Sequence, residues 1–299
     1  MSLSVADPGL FSLVVGVART RTRSLGVSLG GPADRASWMI GNALLGNVPF
    51  ATALEITLVG PTLVATADIG AVIWGAPFEA KRNGEPLEPG VPFALREGDR
   101  LRVGGTPTGA RAYLCVVGGI HATQVLGSTS AFEPIRRGDV LACDPGTPPR
   151  RRLPFVNLHD RTNELRFIDG PQAPLFAPDA MTARPFVVTP TSNRMGVRLR
   201  GEPLTRQPGE LVSEPVAPGT VQVTNDGQCI VLGVDGQTIG GYPKAAQVIR
   251  ADVDALGQLR PGEEVRFVRV TLAEAERLGA ARAGVLREWL WRLEFAERR

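Results

Sequence analysis

Between Ser213 and Lys244 the chain reads S-E-P-V-A-P-G-T-V-Q-V-T-N-D-G-Q-C-I-V-L-G-V-D-G-Q-T-I-G-G-Y-P-K, a stretch dense in groups able to handle a polar substrate. Gln222 and Gln228 flank the turn Asn225-Asp226-Gly227, and Asp235 and Gln237 leave the following apolar run. Gly240-Gly241 then permits close backbone approach ahead of Tyr242-Pro243-Lys244. A side-chain amide both donates and accepts, which suits a substrate carrying an amide or ureido group. A lysine and a tyrosine beside it would stabilise negative charge growing on that group. Lys244 is informative for another reason: of 33 basic residues only Lys81 and Lys244 are lysines. The expected site therefore has Lys244 and Tyr242 as charge stabilisers and Asp235 as an orienting or proton-transferring acid. Gln222, Asp226, Gln228 and Gln237 would bind substrate, and Arg194, in Thr191-Ser-Asn-Arg-Met-Gly196, would clamp a carboxylate or phosphate. Taken singly each has a plainer role, as hairpin turn, loop glycine or solvated strand face; it is their clustering that points to a ligand.

Other chemistries find less support. His121 and His159 are far apart with no ligand-like spacing, so neither a metal site nor a Ser-His-Asp triad is expected. Cys115, Cys143 and Cys229 are scattered and odd in number, which reads as reduced core thiols. No Gly-x-x-x-x-Gly-Lys loop occurs to cradle a nucleotide. The net charge is +3, and the basic clusters Arg19 to Arg23 and Arg150-Arg151-Arg152 lack interleaved aromatics, so nucleic acid is not an expected partner. No apolar run is long enough to cross a bilayer, and the start lacks a secretory pattern; a soluble, cytoplasmic protein is expected.

These residues need a scaffold. The chain has 299 residues, 43% hydrophobic and 21% charged, enough for one large core or two smaller ones. Its 35 glycines and 25 prolines punctuate short apolar runs, the pattern of many short strands joined by tight turns. One series of strands runs from Thr62 to Val117, with a hairpin signal at Asn83-Gly84; a second runs from Leu165 to Val270, its penultimate strand at Gln247 to Arg250. Asp34 is placed to cap a helix reaching about Leu45 and stopped by Gly46, and Thr271-Leu-Ala-Glu274 opens a long terminal helix. Pro145 to Pro154, rich in Pro and Arg, divides the chain into 1–150 and 151–299. A recurring turn (Arg96-Glu-Gly-Asp99, Arg136-Arg-Gly-Asp139, Arg260-Pro-Gly-Glu263) leaves internal duplication and simple turn chemistry equally open. The fold class expected is mostly β, with two barrel-like halves, few helices and a C-terminal helix.

Several motifs together resemble one family. Gly219-Thr-Val-Gln222, Asn225-Asp-Gly-Gln228, Gln237-Thr-Ile-Gly-Gly-Tyr-Pro-Lys244 and Leu259-Arg-Pro-Gly262 are similar to the C-terminal signature of the 5-oxoprolinase C-subunit family. That family is also called allophanate hydrolase subunit 2 or Kip antagonist, and it is related to the carboxyltransferase part of urea carboxylase. Gly31-Pro-Ala-Asp-Arg35, Leu54-Glu-Ile-Thr57, Gly170-Pro-Gln172 and Asn193-Arg-Met-Gly196 extend the likeness in chain order over nearly the whole sequence. The resemblance implies a cyclophilin-like β-barrel and work in a complex with B-subunit-like and A-subunit-like partners, on a small amide, lactam or urea. It implies ATP use through that complex, and biotin only if carried on another chain, because neither lysine has a Met neighbour. Departures occur in the first half. Where the family has Gln-Asp this chain has Val15-Gly16, its Gly-Ser-Arg-Ser-Thr is Gly127-Ser-Thr129-Ser-Ala131, and the loop before Arg136 is shortened. These departures leave a rival expectation, a diverged non-catalytic binding or regulatory protein that keeps the fold and a partner surface.

Overall fold

A computed structural model describes residues 2–151, 153, 163–206 and 211–295. His159, Arg152 and Pro154 lie outside the described residues. The chain divides into two compact units, Met1–Arg19 with Gly30–Leu158 and Leu286–Arg299, and Thr20–Leu29 with His159–Val285.

The first unit carries β1 (Ser2–Asp7), β2 (Phe11–Val15), α1 (Arg35–Leu44), β3 (Ala53–Thr57), β4 (Thr62–Ala65) and β5 (Ile69–Gly75). It continues with β6 (Ala80–Arg82), β7 (Glu85–Pro86), β8 (Phe93–Leu95), β9 (Arg100–Val103), β10 (Arg111–Val116) and β11 (Val140–Ala142). Two open sheets result, one in the order β11-β1-β4-β9-β6-β7 and one in the order β2-β3-β10-β5-β8. Leu3, Leu63 and Leu101 of the first sheet share a core with Leu54, Ile73 and Leu114 of the second. The opposite face of the second sheet, through Leu13, Val72, Trp74 and Cys115, is covered by Trp38, Ile40 and Leu44 of α1. Burial on both faces explains why β5 and β10 read as unbroken apolar runs rather than alternating ones.

The second unit carries β12 (Glu164–Asp169), β13 (Phe186–Val188), β14 (Gly196–Arg200), β15 (Glu214–Pro215) and β16 (Thr220–Val223). After these come β17 (Cys229–Leu232), β18 (Ile239–Gly240), β19 (Lys244–Val248), α2 (Val253–Leu256) and β20 (Glu264–Arg269). Seven strands close a barrel in the order β12-β19-β16-β17-β14-β13-β20, sealed by the parallel pair of β12 and β20. Its interior is filled by Phe167, Val188, Leu199, Val221, Val231, Val248 and Phe267, with Phe167 and Phe267 edge to face at 5.9 Å. Each such side chain contributes about 1.5–3 kcal/mol by leaving water. β15 and β18 form a separate two-stranded ribbon. The helix α3 (Leu272–Phe295) begins in this unit, and its last turns, from Leu286, count with the first.

Local signals translate directly. Asp34 caps α1, its Oδ1 accepting from Ser37 N at 3.1 Å, and Thr271 Oγ1 accepts from Glu274 N at 3.2 Å at the start of α3. Asn83 and Gly84 both take positive φ, 51° and 92°, between the paired β6 and β7. In the recurring turn, the acid closes back on the Arg amide each time: Arg96 N to Asp99 at 2.8 Å, Arg136 N to Asp139 at 2.8 Å, Arg260 N to Glu263 at 2.9 Å. All three turns are thus closed by the same side-chain to backbone hydrogen bond. One element moves from its expected place: β19 starts at Lys244, ahead of Gln247, so Lys244 lies on a strand rather than in the preceding loop. Ala245 and Ala246 are poor strand formers by composition, and pairing with β16 overrides that preference.

All three cysteines are free and buried. Burial pushes the Cys229 thiol up to about 12 and the Cys115 thiol higher still. Among the described residues no helix is long and apolar enough to cross a membrane.

Candidate functional site

Alternation along β16 turns Val221 and Val223 into the barrel and leaves Thr220 and Gln222 on its outer face. Across the ladder Gln222 stands opposite Lys244, where a register shift lets β19 take an extra residue. The ribbon lies over this spot. Glu214 pairs with Gly240 in it, and a Cβ at Gly240 would run into the Gln222 and Gln237 amide nitrogens, so glycine lets the ribbon pack this closely without displacing either amide. Gln237 Nε2 donates to Gln222 Oε1 at 3.1 Å. Gln222 is 1% exposed, and its Nε2 has no hydrogen-bond partner. A buried donor left unsatisfied costs about 1–3 kcal/mol, a cost that an acceptor reaching Gln222 Nε2 would relieve.

Lys244 completes the cluster. Its side chain is 6% exposed, and its Nζ lies 2.6 Å from Glu214 Oε2. Gln172 bridges the two, its Nε2 donating to Glu214 Oε2 at 3.3 Å and its Oε1 accepting from Lys244 N at 3.1 Å. The Lys244 ammonium, then the Gln172 amide, hold the Glu214 carboxyl below the usual carboxylate range. Gly170 lets the Gln172 turn reach β19, since a Cβ there would meet the Lys244 carbonyl.

The other expected site residues are engaged elsewhere. Arg194 is not an open anion clamp: its Nε and NH2 fork onto Asp235 at 2.6 and 3.0 Å, which occupies the guanidinium and the acid together. Asp226 sits in the turn after β16, held by Thr224 Oγ1 at 2.5 Å, a bond that lowers its carboxyl pKa. The Gln228 amide bonds the Gly201 backbone, N to Oε1 at 3.1 Å. Tyr242 is exposed beside the ribbon. Of eight expected residues the fold thus gathers Gln222, Gln237 and Lys244, pairs Arg194 with Asp235, and adds Gln172 and Glu214. Gln172 ends the Gly170-Pro-Gln172 motif and Glu214 heads the polar stretch, and neither position by itself signals a role in sequence.

In the first unit the motif residues form a different network. Glu55, fully buried, accepts from Ala33 N and Tyr113 Oη, each at 2.8 Å, and pairs with Arg111 at 3.3 Å. Tyr113 Oη accepts from Asp34 N at 2.7 Å, which ties the Pro-Ala-Asp loop to the sheet. Burial, reinforced by the Glu55 charge, pushes the Tyr113 hydroxyl well above its ordinary value. The two departures at positions 16 and 129 are physically one. Thr129 Oγ1 bonds Thr52 Oγ1 at 2.7 Å and fills the space into which a Cβ at Gly16 would project. Gly16→Asp alone is therefore expected to cost about 1–3 kcal/mol by overpacking, and a second change, Thr129→Gly, to return much of it. Thermal unfolding of the two single variants and the double variant checks this; independent, additive effects would contradict it. A cavity of about 790 Å³ in this unit, lined by Asn47, Arg151, Arg287 and Trp291 among others, contains none of the expected site residues.

Residues 25–269 match the family model described as carboxyltransferase domain, subdomain A and B. The chain belongs to this carboxyltransferase family. The C-subunit of 5-oxoprolinase from Escherichia coli (strain K12) is 33% identical, with 97% of this chain and 98% of that protein covered. Urea amidolyase of Lachancea kluyveri is 28% identical over 93% of this chain but only 17% of its own length. The crystal structure of Kluyveromyces lactis urea carboxylase superposes with a TM-score of 0.86 at 26% identity, covering 96% of this chain and 29% of that one. These relatives of the carboxyltransferase family are components of enzymes, and the matched model includes every residue of the Gln222–Lys244 cluster, Gln172 and Glu214 included.

Proposed function

We propose that this chain is a C-subunit-like component of an ATP-dependent 5-oxoprolinase, a cytoplasmic enzyme that opens a lactam, working with B-subunit-like and A-subunit-like proteins. The observation that carries the reading is the buried Gln222 Nε2 without an acceptor, on the same barrel face as the Lys244 ammonium. A carbonyl oxygen seated there takes the orphan hydrogen bond, and the ammonium steadies the charge that grows on it as the carbonyl carbon is attacked. Gln237 fixes the Gln222 amide by donating its Nε2 to Gln222 Oε1. Transfer of a carboxyl group to urea makes the same demand on the oxygen, which is why lactam and urea chemistry can share this scaffold. ATP belongs to the complex, and biotin, where a relative uses it, arrives on another chain; this chain's own part is to bind and polarise the carbonyl. The near full-length similarity to the 5-oxoprolinase C-subunit favours the lactam over urea. Co-expression with B-subunit-like and A-subunit-like partners, followed by measurement of ATP hydrolysis with and without 5-oxoproline, tests the reading. Lactam-dependent ATP turnover is expected, and a stable complex that hydrolyses no ATP in response to 5-oxoproline would refute it.

A further inference from the structure

We propose that Glu214 is a positioning residue for Lys244, a role that rests on the reading of Lys244 as the group that steadies substrate charge. A lysine ammonium is a point charge on a flexible four-carbon stem, so something must aim it. Three observations assign that task to Glu214. Its Oε2 lies 2.6 Å from Lys244 Nζ, and the lysine side chain is 6% exposed against 47% for the glutamate, so the carboxylate covers the ammonium from the solvent side. The carboxylate is itself fixed, because Gln172 bonds it at one end and the Lys244 backbone at the other, closing a ring of three side chains. Glu214 is also set opposite Gly240 in the ribbon, the same glycine that seats against Gln222 and Gln237, so one element registers the ammonium and the amides together. Glu214 is a poor proton acceptor, its carboxyl being held low by Lys244, which argues for aiming the lysine and against acting as a base.

The scarcity of lysine supplies a direct test. A short pulse of acetic anhydride on the full-length chain, read by peptide mass spectrometry, reports Lys244 against Lys81, the one other lysine and an exposed one. Lys244 is expected to react at about a tenth of the Lys81 rate or less. Glu214→Gln should raise the Lys244 rate about tenfold with Lys81 unchanged, and Glu214→Asp, which keeps the charge, should stay within about threefold of the parent. Should Glu214→Gln fail to fold, Gln172→Ala replaces it and should raise the Lys244 rate several-fold. In the reconstituted complex Glu214→Gln should lower kcat about tenfold or more while KM stays within about twofold. A parent Lys244 as reactive as Lys81, or one whose rate neither variant changes, overturns the proposal even if kcat falls, because Glu214 would then act other than through the lysine. If no complex turns over 5-oxoproline, the lactam reading falls, and the labelling rates still decide the role of Glu214.

Discussion

Lys244→Ala in the reconstituted complex is expected to lower lactam-dependent ATP turnover by about 10²–10³-fold, the usual consequence of losing one preorganised donor to a developing oxyanion. The loss should appear in kcat, since the ammonium interacts with charge that is small in the bound substrate and large in the transition state. The fold should survive. Glu214, left without its partner, is nearly half exposed and can be solvated, and Ala245 and Ala246 continue to hold β19 in the barrel core. Initial rates at saturating 5-oxoproline, beside a thermal melt of the variant, check this. Turnover within threefold of the parent would remove Lys244 from the chemistry.

Glu55→Ala is expected to produce the largest stability loss in the first unit. The carboxylate is fully buried, accepts from Ala33 N and Tyr113 Oη and forms an ion pair with Arg111, which is itself buried. Removing one partner of a buried pair leaves an uncompensated charge and costs about 3–5 kcal/mol. In a unit of this size that corresponds to a fall in Tm of about 6–20 °C. The Pro-Ala-Asp loop should loosen as well, because Tyr113, which receives Asp34 N, loses the group that orients its hydroxyl. Differential scanning calorimetry is the measurement, and a variant melting within 2 °C of the parent would show the network to be dispensable. Tyr113→Phe gives a milder comparison, since it removes the hydroxyl that accepts from Asp34 N and donates to Glu55 but leaves the ion pair in place.

The residues that identify the family are legible in the sequence because they are local: glycines where turns or close approaches exclude a Cβ, caps at helix starts, an amide-rich stretch between two apolar strands. Gly240 is an example, since the close backbone approach that Gly240-Gly241 permits is the one it makes, against the Gln222 and Gln237 amides. The departures at Gly16 and Thr129 read as losses in sequence, yet in space the threonine hydroxyl fills the room the missing side chain vacates. Adjacent substitutions in a packed interior are felt as one volume, which a linear reading cannot add up.

By itself, then, the sequence determined a mostly β chain with a capped terminal helix, the family, and three side chains that the fold brings together, the buried Gln222 and Lys244 and the exposed Gln237. Tertiary structure alone decided their partners. Arg194 looked free for an anion until the pairing of β14 with β17 brought Asp235, 41 residues away, onto its fork. Glu214 and Gln172, 42 residues apart, joined the lysine only because β15 folds over the outer face of β16 and β19. A one-residue shift in that ladder would turn Gln222 to the other face of its strand, and register is set by the core the strands enclose rather than by the residues displayed outside it.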